Sequence, residues 1–169
     1  MVTLPKILQR VNDLGHVVFD YQADFDLNII GERFSIEPNT FDDILHVVYK
    51  CNGLWQWERF KCTTDPGTYH LLNPSKVAGT AILAPGQYRR SHELGLHRGK
   101  YEALVQRGKV KVYRDANRDE VADVRPDTGQ IGYFGINIHK AGQDSSYVNK
   151  WSAGCTVISN EVRYQRFID

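Results

Sequence analysis

Gly132-Tyr133-Phe134-Gly135-Ile136-Asn137-Ile138-His139, then a polar loop, then Trp151-Ser152-Ala153-Gly154-Cys155-Thr156-Val157, is the stretch on which the reading of this chain turns. The first half alternates small, aromatic and β-branched residues and ends at a histidine, the pattern of a strand that delivers His139 to a sheet edge. The second half sets a cysteine directly after a glycine, which leaves the backbone free to turn tightly with no side chain over the sulfur. A thiol attacks a carbonyl as the thiolate, so it needs a partner that lowers its pKa and accepts its proton, and His139 is the nearest candidate. The N–H groups of Ala153, Gly154 and Cys155 are candidate oxyanion donors. Taken singly, a cysteine among apolar residues is most often a small buried hydrophobe, and a histidine a satisfied polar residue. The joint pattern of strand-terminal histidine and Gly-Cys turn points to chemistry.

At these residues the chain resembles the L,D-transpeptidases of the YkuD type, bacterial cysteine enzymes that remodel peptidoglycan. In that family a strand ends in Ile-His-Gly, a variable stretch follows, and the nucleophile sits in Ser/Thr-His-Gly-Cys. Ile138 and His139 match the first part; Ser152, Gly154 and Cys155 match the second. Ala153 stands where the family has histidine, and Lys140 where it has glycine, which bears on the substrate pocket and the acceptor. The likeness covers roughly a quarter to a third of the chain and is moderately specific. The Gly-Ile-Asn-Ile-His strand and Trp-Ser-Ala-Gly-Cys turn are also similar to those of small phage proteins that look like lysis enzymes (endolysins).

Length and charge bound the rest. A chain of 169 residues suits one domain with a real core. The expected layout is a single catalytic domain over 1–169, with 1–80 packed on the core and 81–169 carrying the catalytic segments. Twenty-one basic against twenty acidic side chains give +1, so no global field draws the protein to nucleic acid or anionic lipid. With 41% hydrophobic and 11% aromatic residues and no apolar run of membrane-spanning length, the composition is that of a soluble globular protein. Residues 1–13 have Lys6 and Arg10 among apolar positions and do not read as a secretory signal, so synthesis in the cytoplasm is expected. Cys51 and Cys62 are read as reduced. They lack Cys-x-x-Cys spacing and no Cys/His cluster completes four ligands, so neither metal nor cofactor is expected.

Leu4, Ile7, Leu8, Val11 and Leu14 recur at helical spacing, with Gly15 as a stop. Residues 16–19 and 27–30 read as short strands. Phe41-Asp42-Asp43-Ile44-Leu45-His46-Val47-Val48-Tyr49, after a possible cap at Asn39 or Thr40, reads as a second helix with His46 partly exposed. Residues 53–60 alternate as a half-buried strand with Trp55 and Trp57 on one face, where they either pack in the core or stack on sugar rings. Residues 80–83 are a short strand. The stretch 88–99 is rich in cations, and Arg89, Arg90 and His97 are candidates for holding the carboxylates of a peptide stem; a plain solvated loop is the other reading. His92 and His97 lie one residue too far apart for a zinc-protease pair. Residues 102–105 and 109–113, joined across Arg107-Gly108, look like a hairpin. Asp115, Asn117 and Asp119, with Asp123, hint at a calcium loop, although Glu120 stands where the turn wants glycine and the bidentate glutamate is missing; an acidic surface turn is the alternative. Residues 156–158 continue as a strand and 161–168 as a tail.

The expected fold class is α+β and β-rich, a single domain resembling the L,D-transpeptidase catalytic fold with a few peripheral helices. The resemblance implies a cysteine peptidase or transpeptidase acting on peptidoglycan stem peptides, as a monomer, with Cys155 as nucleophile and His139 as base. Lysis by cleavage of an L,D peptide bond is the favoured outcome, crosslinking the alternative, and a noncatalytic wall-binding or virion structural protein the rival class. Ser152 and Asn137 are candidates for orienting the loop and the histidine, and Tyr133 and Trp151 for walling the cleft.

Overall fold

The computed structural model describes residues 3–20, 23–34 and 37–169. The expected first helix is α1, Lys6–Asp13, with Leu8 buried and Gly15 at φ +74 just past its end. Residues 16–19 are not a strand, which corrects the sequence reading. Their backbone is held by side chains instead: Gln87 bonds both polar groups of Val17, and Asn28 bonds both of Phe19. Side-chain amides here do what a neighbouring strand would otherwise do.

Three strands follow: β1 (Asn28–Glu32), β2 (Asp43–Cys51) and β3 (Leu54–Thr63), an antiparallel meander. Residues 41–49, expected as a helix, therefore form most of β2. Ile44, Val47 and Val48 are β-branched, β2 has partners on both edges, and the unbroken buried run 45–48 shows that both faces of its middle are covered. Asn52 and Gly53, both at positive φ, make the two-residue turn that joins β2 to β3. Asp43, expected in a helical first turn, is a buried clamp that accepts from Phe34 N, Thr64 N and Thr64 Oγ1, each at 2.7 Å. His46 is buried rather than partly exposed, with Nε2 at 3.0 Å from Glu32 and Nδ1 accepting from Trp57 Nε1 at 3.0 Å.

After the short helix α2 (Thr68–Leu72) come β4 (Thr80–Leu83), β5 (His92–His97), β6 (Tyr101–Gln106), β7 (Val110–Asp115), β8 (Gln130–Gly132), β9 (Ile138–Lys140), β10 (Thr156–Ile158) and α3 (Glu161–Ile168). Seven strands form one sheet in the order β1-β2-β3-β10-β9-β6-β5, and β4-β7-β8 form a second. The first sheet thus joins the N-terminal meander to the C-terminal strands without a break.

Two further expectations fail for definable reasons. Residues 102–105 and 109–113 do not pair: β6 lies between β5 and β9, whereas β7 lies between β4 and β8. The chain changes sheets at Arg107-Gly108, where both N–H groups donate to Ser91 O and a Cβ at Gly108 would press on Arg90 O. Gln106 secures the crossing. Its Nε2 donates to Gly108 O and Gly132 O, and its Oε1 accepts from Phe134 N and Ile136 N. Residues 161–168, expected as a tail, are helix α3. Asn160 caps it by accepting from Arg163 N, a contact worth about 1 kcal/mol in comparable helices. Tyr164, Phe167 and Ile168 turn one face onto Leu45, Phe60, Ile138 and Ile158.

Candidate active site

The adjacent, parallel strands β9 and β10 set Cys155 and His139 diagonally to one another. Thr156 pairs with Ile138 and Val157 with His139, and Thr156 N donates to Asn137 O. The same register sets Cys155 level with Asn137, whose N–H points at the sulfur at 3.4 Å. Ile138 and Ile158 face α3, while Val157 and Ala141 lie on the other face with Cys155 packed against them. By strand alternation His139 belongs to that second face, so cysteine and histidine are diagonal neighbours on one surface. The sequence expectation of a long strand leading to a sheet edge is corrected here. Gly135, at φ +72, interrupts the approach, only Ile138–Lys140 is strand, and β9 is interior.

The His139 ring is oriented from one side. Nδ1 lies 2.8 Å from the Lys140 carbonyl, which can only accept, so Nδ1 carries the proton and Nε2 keeps the lone pair. Tyr101 Oη stands 3.2 Å from the same nitrogen and also reaches Lys140 O. His97 stacks on the ring with centroids 4.0 Å apart. Asn137 Nδ2 lies 3.1 Å from His97 Nδ1, and Asn137 Oδ1 accepts from Gln106 N, so Asn137 orients His97 rather than His139. A backbone carbonyl here takes the place that a carboxylate holds in a Ser-His-Asp triad.

Electrostatics correct the expected activated thiolate. Burial, then the neighbouring His97, lowers the His139 pKa to about 3. Burial raises that of Cys155, opposed by the Asn137 N–H and by the Arg98 charge. The resting pair is therefore thiol and neutral imidazole. The S–H donates to Gly135 O at 3.3 Å. Iodoacetamide should accordingly label Cys155 at pH 7 more slowly than a cysteine in an unfolded peptide, with the rate still climbing above pH 9; mass analysis of labelled peptides across pH 7–10 measures this. Rapid labelling at neutral pH would contradict the raised thiol pKa.

The same shift bears on stability. An unfolded imidazole takes its proton near 6.5, whereas native His139 refuses it until about 3. Between those values the unfolded chain binds more protons, so stability falls as pH drops below 6.5. At pH 4 the His139 share is on the order of 3 kcal/mol. His92 and His97, also lowered by burial, act in the same direction. Urea midpoints from pH 4 to 7 should slope more gently for His139→Gln than for the wild type; parallel slopes would remove this account.

The turn before the sulfur is closed by Ser152, which is fully buried. Its Oγ donates to Cys155 O at 2.8 Å and accepts from Gly154 N at 3.2 Å. The Gly154 N–H, a candidate oxyanion donor, is thus engaged within the turn, and the bonds that close it use neither the Ala153 nor the Cys155 N–H. Gly154 sits at φ +117 with its α-carbon against the Ala81 carbonyl oxygen of β4.

Of the other candidates, His97 reaches the site. Arg89 and Arg90 do not: they precede β5 at the end away from His97, with Arg89 over the Phe19 ring at 5.6 Å. Arg98, just past β5, is the cation whose charge bears on His97, His139 and Cys155. Tyr133 is exposed beyond β8, and Trp151 rests on Gly142. Trp55 and Trp57 lie on the outer side of β3. Lys50 sits 4.9 Å over the Trp55 ring, and Trp57 bonds His46 beneath Arg59. Asp115, Asn117, Asp119 and Asp123 bond one another and their own backbone. Among the described residues no three His, Cys, Asp or Glu groups stand so as to hold a metal ion, and no helix is long and apolar enough to cross a membrane. Cys51 and Cys62 are free thiols at opposite ends of the β2–β3 pair.

Tyr101 and the Lys140 carbonyl were not legible as site groups in the sequence, since one acts through space and the other is backbone; Arg98 lay within the cationic stretch 88–99. No protein-family model, curated protein or solved structure matches this chain.

Proposed function

We propose that this protein is a cysteine peptidase that cleaves an L,D peptide bond in peptidoglycan stem peptides through a Cys155 acyl-enzyme. The observation that carries the reading is the pairing of a half-buried thiol with a diagonal imidazole whose Nδ1–H is tied to Lys140 O, which leaves Nε2 free to accept a proton. The choice of substrate rests on the likeness of Ile138-His139 and Ser152, Gly154, Cys155 to the transpeptidase motif.

Because both groups rest neutral, proton transfer accompanies attack. The thiol turns from Gly135 O, its proton passes to His139 Nε2, and sulfur bonds to the carbonyl carbon. The Cys155 and Ala153 N–H groups take the negative oxygen. The tetrahedral adduct then expels the amine, which receives the proton from His139. Water, deprotonated by the same imidazole, releases the acid and restores the thiol; a second stem's amine in place of water makes a crosslink. A sugar-stacking role for Trp55 and Trp57 fits less well, since cationic side chains lie over their rings.

The test is digestion of purified peptidoglycan by the wild type and by Cys155→Ala, with mass analysis of what is released. Fragments from the wild type alone support the reading, and their masses name the bond and the acceptor. Identical products from both would end it.

A further inference from the structure

Arg114 of β7 is a buried residue, 8% exposed, whose guanidinium has only neutral partners: Nε donates to Gln130 Oε1 at 3.0 Å, Nη1 to Gly79 O at 3.3 Å, and Cζ lies 5.0 Å over the Phe134 ring. Among the described residues no carboxylate forms an ion pair with it. Keeping a full charge out of water is costly unless an anion shares the site. Arg114 lines a pocket of about 120 Å³ together with His70, Lys76, Gly79, Phe134 and Ala153. That volume is roughly four waters' share of the liquid, room for a carboxylate and a little of the chain that carries it. Its rim adds a second cation, exposed Lys76, and the lining holds no acidic side chain.

The pocket also touches the reacting turn. Arg114 is the cross-strand partner of Ala81, whose carbonyl supports Gly154, and Ala153 forms part of the wall. A ligand group held by Arg114 would thus be one strand's width from the residues that present Cys155.

We infer that this pocket is a carboxylate subsite, in which Arg114 and Lys76 hold a carboxylate of the bound peptide beside the Ala153 turn. The identity of the ligand as a stem peptide rests on the proposed peptidase reading; the affinity for carboxylate does not. Two sources share that chemistry, the C-terminal carboxylate of the peptide and a carboxylate on the side chain of a diamino dicarboxylic acid within it.

The experiment uses the Cys155→Ala protein, so that binding is read without turnover. Acetate and N-acetylalanine are titrated against it by amide NMR, with N-acetylalaninamide as the uncharged control. Saturable shifts at Gly79, Ala81 and Ala153 are expected from the two carboxylates and not from the amide, with affinity at least roughly tenfold weaker in Arg114→Met. Lys76→Ala, an exposed change that spares the fold, should weaken binding by a smaller factor. Equal shifts from the amide, no shifts, or carboxylate binding indifferent to both substitutions overturns the subsite. Two synthetic stem peptides then separate the sources: one with a free C-terminus and lysine at the third position, the other amidated with diaminopimelic acid there. Whichever binds carries the recognised group; acetate binding with neither peptide bound overturns the assignment to a peptide carboxylate. Failure of wild-type digestion would remove the peptidase reading and leave the NMR result standing.

Discussion

On the proposed peptidase reading, purified peptidoglycan treated with Cys155→Ala should yield no soluble peptide fragments, a fall of at least ~10⁴-fold from the wild type. The size of the expected loss follows from the role. In a double displacement the sulfur forms the covalent bond, and among the described residues no neighbouring side chain on that face replaces it: His139 and His97 are neutral bases, and Ser152 Oγ is committed to Cys155 O and Gly154 N. The fold should survive. Cys155 is half-buried against Val157 and Ala141, so loss of its sulfur costs about 1 kcal/mol and a few degrees in melting temperature. Circular dichroism melts run beside the digestion separate a dead enzyme from an unfolded one.

Gly154→Ala should be the most damaging small substitution at the site. A methyl group there would collide with the Ala81 carbonyl oxygen and crowd Ile136 Cδ1 at 3.3 Å, and φ +117 is a conformation that side-chain-bearing residues adopt only under strain. Backbone is on the receiving end, so no rotamer change relieves the clash. Strain and overpacking together cost about 3 kcal/mol or more, a drop of about 6–12 °C in melting temperature for a chain of this size. On the proposed mechanism the turn would also move the Cys155 N–H away from the oxyanion, so activity should be lost with stability. A melt within two degrees of the wild type, by an order-of-magnitude reading of the same scale, would show that β4 and the turn are not in contact.

What could be read from the chain alone divides by the range of the interaction. The Gly154-Cys155 turn, the Ile138-His139 strand and α1 are written in neighbouring residues, and each was legible. Residues 41–49 misled because Ile44, Leu45, Val48 and Tyr49 recur at a spacing that also fits one side of a helix; partners on both edges decide for strand, and they come from residues 28–32 and 54–63. The supposed hairpin across Arg107-Gly108 failed because a glycine marks a change of direction without naming the sheet that receives the chain. The resting state of Cys155 departs from the expected thiolate for a related reason. A histidine nearby in sequence suggests a thiolate, but burial of both groups outweighs their proximity, and burial is a property of the packed whole. Arg114 gave no signal at all, since its lack of a carboxylate partner is visible only once its surroundings are in place.

The position of β10 has a consequence for the order in which the molecule comes into being. It sits between β3 and β9, yet it follows both in the chain, so the two halves of the large sheet have no bond to each other until residues 156–158 arrive. A nascent polypeptide leaving the ribosome can form the N-terminal meander early, but it cannot place sulfur beside imidazole until nearly all of the described chain has emerged. Connectivity alone thus keeps the sulfur and the imidazole apart until β10 is in place.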